Sequence, residues 1–295
     1  MAFSYDPNQK LVTLVDQETN ALRTYDLSLG ECSDKTLVWQ VRSPWKHMVQ
    51  DGHLRRDESG RLLALAGCSS QAAYVADAAN GQILWQTLDG PDCPHAMELL
   101  PGDILVIAGS YGNQIRFYDL HGSDRLLGAL DTEDPHGLLY DPSLDRLWML
   151  GLHNLHLLKI DRLADGSISA RVEKQWPLPG WGGHDLYPVY GSGGQRLWVT
   201  DVEGVYQFSI PEETFDTGYP GSGLINRPNT KAIGNYPDGT VISLTPDAAF
   251  HPWTAYSFRV FIPDGDGFRT QDISIPGMAS YKVRVWRAEY QDDIL

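Results

Sequence analysis

Five short apolar runs recur along the chain, each ending in a small or polar residue: Leu63 to Gly67, Leu105 to Gly109, Leu147 to Gly151, Leu197 to Asp201 and Val241 to Thr245. A sixth copy, Leu11 to Val15, stands near the start. Such self-similarity constrains the fold strongly, because every copy must build the same local unit. Turns rich in Asp, Gly, Pro or Asn precede the runs, as in DESGR, LPGD, DPSLDR, GSGGQR and YPDGT, and suit hairpins. About ten residues after each run begins a second alternating strand: Leu22 to Leu27, Ala73 to Ala78, Ile115 to Leu120, His156 to Asp161, Val205 to Ile210 and Tyr256 to Phe261. A further short strand often follows, as at Thr36 to Val41 and Ile83 to Leu88. The unit is a four-stranded meander of roughly 40 to 50 residues.

Six such units fill the 295 residues. The expected architecture is therefore all-β: a single domain over 1–295 forming a six-bladed β-propeller, with seven blades or an irregular ring as the alternative. Tyr281 to Trp286 (YKVRVW) reads as a strand beyond the sixth unit that closes the ring beside the first. No segment sustains a period of 3.6, and 29 Gly and 18 Pro break the chain too often for helical repeats.

The repeat also aligns histidines. Ten residues before Leu63, Leu105 and Val241 stand His53, His95 and Lys231; with one or three extra turn residues the same place holds His136 and His184. The first unit's equivalent falls at the chain start by this count. The innermost strand of a blade runs along the channel, so these side chains are expected to converge on one mouth. Convergent neutral imidazoles suit a divalent metal such as Mn, Zn or Fe, with His53, His95, His136 and His184 as ligands. The other use is acid–base work without a metal, with Lys231 and His184 as catalytic candidates. Single histidines near turns are more often structural, and recurrence is what favours function here. The same rim is expected to carry Trp45, His47, Asn113, His153, Trp181, Arg227 and Trp253 as substrate-binding groups, since aromatic faces stack on sugar rings and a guanidinium meets a carboxylate.

Composition excludes several partners. A formal charge of −15 repels polyanions, so nucleic acid is not expected. No apolar run is long enough to span a membrane, and Met1 to Lys10 lacks the basic and apolar regions of an export signal. A soluble cytoplasmic protein is the expectation, with a periplasmic or secreted one whose leader has been removed as the alternative. The three cysteines are widely spaced and form no CxxC pair. Gly191 to Gly194 and Asp264 to Gly267 read as turn chemistry rather than phosphate or calcium loops.

The pattern of Pro94 to Leu120, PHAMELLPGDILVIAGSYGNQIRFYDL, resembles bacterial single-domain β-propellers. Among propellers of known chemistry, the axial histidines are most similar to those of the oligogalacturonate and ulvan lyases. That resemblance implies removal of a proton next to a uronate carboxylate, with a metal or catalytic His and Tyr at the channel mouth. His53, His95, His136 and His184 would be the analogous set, joined by Lys231, Tyr111 or Tyr187. Those families are longer and usually seven-bladed, and none of their extended motifs is present. The leading expectation is an enzyme acting on a saccharide or similar small polar ligand, a metal-assisted lyase. The alternative is a non-catalytic propeller that binds a ligand or protein through the same face.

Overall fold

The repeated apolar runs become strands buried on both faces. In the computed structural model, which describes residues 3–291, all five residues of Leu105 to Gly109 and of Leu197 to Asp201 are buried. Continuous apolar runs are what a strand needs when a neighbouring sheet covers each face. Outer strands alternate instead, because one face meets solvent.

Six four-stranded antiparallel sheets result. The first blade holds β1 (Leu11–Asp16), β2 (Ala21–Asp26) and β3 (Leu37–Arg42). The second runs β4 (Val49–Arg56), β5 (Leu62–Cys68), β6 (Ala73–Asp77) and β7 (Ile83–Thr87). The third runs β8 (Pro94–Leu100), β9 (Ile104–Gly109), β10 (Gln114–Asp119) and β11 (Leu126–Asp131). The fourth runs β12 (Gly137–Asp141), β13 (Arg146–Leu150), β14 (Asn154–Arg162) and β15 (Ile168–Pro177). The fifth runs β16 (Asp185–Pro188), β17 (Arg196–Thr200), β18 (Val205–Ser209) and β19 (Thr214–Asp216). The sixth runs β20 (Ala232–Asn235), β21 (Val241–Leu244), β22 (Ser257–Asp264) and β23 (Gly267–Ser274). The final strand, β24 (Ser280–Val285), returns to the first blade and becomes its innermost strand beside β1, in the order β24-β1-β2-β3. The architecture is a six-bladed β-propeller, closed by pairing the two ends of the chain within the first blade.

The apolar cores lie between blades. One cluster joins Leu63, Val75 and Trp85 of the second blade to Met97, Leu105 and Tyr118 of the third; another joins Leu139 and Trp148 of the fourth to Leu197 and Phe208 of the fifth. Helix is confined to a 3-10 turn at Leu27–Leu29 and one turn at Ser222–Ile225 among the described residues. No helix among them is long and apolar enough to cross a membrane.

Closure by β24 corrects one sequence expectation. The first blade takes its innermost strand from the C-terminal segment, so its mouth position is not at the chain start. Leu14 pairs with Val283, as Leu150 pairs with Gly137, which puts Lys282 in the place that His136 takes in the fourth blade.

The register corrects a second. Gly52 pairs with Ala66 and Ala96 with Ala108, so the residue equivalent to His95 is Asp51, not His53. The reason is turn length: five residues, 57–61, join β4 to β5, whereas three, 101–103, join β8 to β9. Counting back ten residues from the second strand therefore stops two short. His53 lies one side-chain repeat deeper in the channel.

Candidate site at the channel mouth

Three of the aligned positions are built by the same backbone contact. The amides of His136, His184 and Lys231 donate to the carbonyls of Leu150, Thr200 and Leu244, at 2.8, 2.8 and 2.9 Å. Each thus extends its innermost strand by one residue at the rim. At His184 the chain reaches this place through Gly182, at φ +67°, and Gly183, where a Cβ would stand 2.5 Å from the Gly151 carbonyl oxygen. That is why two glycines precede the histidine.

The imidazoles of His95 and His136 have ring centroids 4.3 Å apart, and His136 and His184 follow at 5.5 Å. They line a pocket of about 200 Å³ together with Lys231, Tyr111, Trp253, Gln50, Cys93 and Tyr281. Nδ1 of His95 faces the Cys93 carbonyl at 3.0 Å, and Nδ1 of His136 faces the Asp134 carbonyl at 3.2 Å and its carboxylate at 3.1 Å. A ring nitrogen facing such acceptors carries the proton, which leaves Nε2 as the lone-pair nitrogen in both rings. Lys231 Nζ lies 2.6 Å from His184 Nε2, while His184 Nδ1 is buried without a hydrogen-bond partner. At the lip, Trp253 Nε1 donates to Gln17 Oε1 at 2.9 Å, and Gln17 Nε2 donates to Gln50 Oε1 at 2.7 Å.

Below the pocket the channel is filled by paired charges. The Arg284 guanidinium holds Asp51 and Asp185, with contacts of 2.7 to 2.9 Å. Lys282 Nζ lies 3.2 Å from Asp185 and 3.5 Å from Asp51, and Arg55 forms a two-pronged pair with Glu98, both bonds 2.7 Å. Three buried cations thus meet three buried carboxylates. Lys231 is different: among the described residues it has no carboxylate partner.

These surroundings set the charge states. Burial, then neighbouring His136, holds His95 well below the ordinary histidine range; burial, then Lys231, brings His184 down to about 2. Burial outweighs nearby Asp51 and lowers His53 as well. Burial, then Lys282, brings the Lys231 ammonium down to about 8. Burial opposes ionisation of Asp51, but Arg284 and Lys282 prevail and keep its carboxylate well below the usual range.

A stability profile follows. A histidine whose folded pKa lies below its unfolded value of about 6.5 binds more protons when unfolded, so its contribution is fully present above that pH and is lost as pH falls. Denaturant midpoints should drop between pH 6.5 and 5, where paired carboxylates have not begun to titrate. His95→Asn should flatten that slope by up to about 1.4 kcal/mol per pH unit. By the same sign Lys231, lowered to about 8, should add stability as pH rises from about 8 to 10.5, a rise that Lys231→Met removes. Chemical unfolding of the three proteins across pH 5 to 10.5 is the check, and parallel profiles would contradict the assignment.

The pocket gathers His95, His136, His184, Lys231, Tyr111 and Trp253 of the expected residues. It does not gather the others. His53 lies 3.3 Å from Asp51 and 6.0 Å, ring to ring, from Tyr187, within the channel. Tyr187 is buried there, its hydroxyl donating to the Val285 carbonyl at 2.6 Å, because it shares a strand face with Asp185 rather than with His184. Trp45 packs on the core between the first two blades and against His47 at 6.3 Å. Asn113 is a loop cap at φ +49°, its side-chain oxygen accepting from the Asp134 amide. His153 and Trp181 are exposed on neighbouring loops, and Arg227 lines a separate groove of about 240 Å³ with Arg259 and Asp272.

Gln50, Cys93 and Tyr281 were missed at the pocket, and the paired charges beneath it were missed as a group. A signal existed for the latter. Lys282 and Arg284 alternate with Tyr281, Val283 and Val285, and Asp51, His53 and Arg55 fall at the same period of two. Charges at alternate places in strands this apolar require partners across the channel.

The donor set bears on the expected metal. His95 and His136 have the tautomer that metal ligands use, with Nδ1 anchored and Nε2 free. The Nε2 of His184 is engaged by Lys231, and His53 is elsewhere in the channel. No group of three or more His, Cys, Asp or Glu among the described residues is arranged to hold a metal ion. Two imidazoles fall short of a three-ligand catalytic set.

Residues 179–256 match a family described as "Family of unknown function (DUF6528)". No curated protein matches the chain. Among solved structures, a nidogen/laminin complex contains a chain 13% identical, with TM-score 0.61, covering 96% of this chain and 100% of that one. A protein of unknown function from Bacteroides caccae is 12% identical with TM-score 0.58, covering 94% and 98%. A chain of the mitotic checkpoint complex is 9% identical with TM-score 0.56, covering 95% and 85%. Likeness at this level of identity extends to the propeller fold alone.

Proposed function

We propose that the channel mouth binds a small polar ligand carrying a carboxylate and moves a proton on it, a lyase-type site for a uronate sugar or an acid of similar size. The observation that carries this reading is Lys231, a largely buried cation in a channel whose other buried cations all have carboxylate partners. An unpaired buried ammonium is costly, and an anionic ligand relieves that cost. Nε2 of His95 and of His136 supplies lone pairs for a proton next to the bound carboxylate. Trp253 and Tyr111 at the lip offer faces to a sugar ring. A pocket of about 200 Å³ takes one such ring rather than a long chain. A binding module without turnover would use the same groups.

Calorimetric titration with lactate, glucuronate and neutral glucose separates the cases. The two acids should bind with one site per chain, glucose should not, and Lys231→Met should weaken the acids at least tenfold, about 1.4 kcal/mol. Equal binding of glucose and glucuronate, unchanged in Lys231→Met, would contradict the reading. Elemental analysis of the same sample should find no stoichiometric metal; one metal per chain, lost in His95→Ala, would assign the site to metal chemistry instead.

A further inference from the structure

We infer that Lys231 is a nucleophile that forms an imine with the carbonyl carbon of a small 2-oxo acid or aldehyde acid at the channel mouth. The inference rests on the ligand-site reading above and deepens it by naming the substrate class.

Three arrangements support it. Lys231 Nζ faces the pocket with His184 Nε2 at 2.6 Å, and no carboxylate among the described residues holds the amine in its charged form. The neighbouring Lys282, ion-paired to Asp51 and Asp185, adds positive charge beneath it. Both effects favour the free amine, and the value of about 8 leaves roughly a quarter of it as free base at pH 7.5. Contrast within the channel sharpens the point: Lys282 is fully buried and held between two carboxylates, whereas Lys231 opens to the pocket.

The step balances without a co-reactant. The Nζ lone pair adds to the carbonyl carbon, the C=O π pair moves to oxygen, and oxygen leaves as water after protonation. One amine, one carbonyl and one proton give one iminium and one water, with no change of oxidation state. The iminium keeps the positive charge at Nζ beside the ligand's carboxylate, so the cation that draws the ligand in is not lost. It also withdraws electrons from the adjacent carbon, whose proton then lies within the range of chemistry suited to Nε2 of His95 or His136. Both imidazoles are held in the accepting tautomer by the Cys93 carbonyl and by Asp134.

The test is reductive trapping. The full chain is incubated with pyruvate and cyanoborohydride at pH 7.5, then analysed by intact mass and peptide mapping. One reduced pyruvate adduct per chain is expected, on the peptide containing Lys231, saturable in pyruvate and formed at least tenfold faster than at exposed Lys35, Lys46 and Lys174, which serve as internal references. Lys231→Arg, which keeps the charge and loses the nucleophile, should abolish that adduct and leave the slow background. Labelling of Lys231 no faster than of the reference lysines in the wild-type chain would overturn the inference, whatever the variant does. Lactate, which has the carboxylate but no carbonyl, distinguishes the two readings. If lactate binds at the mouth and no imine forms, the imine is refuted and the carboxylate site stands. If neither lactate nor pyruvate binds, both fall.

Discussion

A chain ending at Ala279 should not fold cooperatively. The innermost strand of the first blade, β24, pairs with β1 from Val12 to Asp16 and brings Lys282 and Arg284 into the channel. Without it, β1 presents an unpaired edge to the axis and Asp51 and Asp185 lose their cations together. The loss exceeds the whole stability expected of a domain, about 5 to 15 kcal/mol, because ring closure and the charge network fail at once. Dispersed amide resonances and a sharp thermal transition should be absent from the truncated protein. A native-like spectrum would mean that closure does not depend on β24.

Arg284→Met should be the most damaging single replacement. It removes both carboxylate pairings of one guanidinium and leaves Asp51 and Asp185 facing Lys282 alone. Breaking a buried pair by deleting one partner costs about 3 to 5 kcal/mol, or a fall in Tm of roughly 5 to 8 °C at this chain length. Adding Asp185→Asn should recover part of that loss, since it takes away one of the two orphaned charges. Asp185 also accepts from the Ile233 amide at 2.9 Å, so recovery will be incomplete. Thermal melts of the two variants at pH 7 are the check. A fall under 2 °C in Arg284→Met would show that the network contributes little.

The fold was legible because two physical signals coincide in every unit. The second strand of each blade, as in Leu105 to Gly109, is buried on both faces and reads as an unbroken apolar run. The turns around it carry the residues that hairpins need. The mouth was legible only in part. His95, His136, His184 and Lys231 stand at the place reached by counting back from the following strand, with extra turn residues allowed for His136 and His184. At the second blade the longer turn at 57–61 breaks the count, and Asp51 takes the place assigned to His53. At the first blade the position comes from the far end of the chain, where no local alignment reaches, so Lys282 was not recognised. Tyr187 illustrates a different limit. It is three residues from His184, yet strand alternation puts it on the face of Asp185, among the buried charges. The distinction between rim and channel is a matter of one or two residues along the innermost strand, and strand boundaries are where sequence patterns are least informative.

The charge inventory explains why the rim and the channel differ in role. Within the channel, each cation is matched by a carboxylate, an arrangement that fixes the strands and leaves nothing for a ligand to neutralise. At the rim, three imidazoles and an amine without a carboxylate partner among the described residues are collected instead. Sites that sacrifice stability in this way are commonly the ones that bind or react.

Imidazole nitrogen resonances, followed while a small carboxylate is added, test the central claim most directly. At pH 7.5 and without ligand, His95 and His136 should both carry a proton on Nδ1, which faces the Cys93 carbonyl in one ring and Asp134 in the other. Added lactate should then shift the Nε2 signals of His95, His136 and His184 along one saturable curve, while exposed His153 stays unchanged. If the three mouth histidines fail to respond together, or respond no more than His153, the channel mouth is not a carboxylate site and the account is wrong.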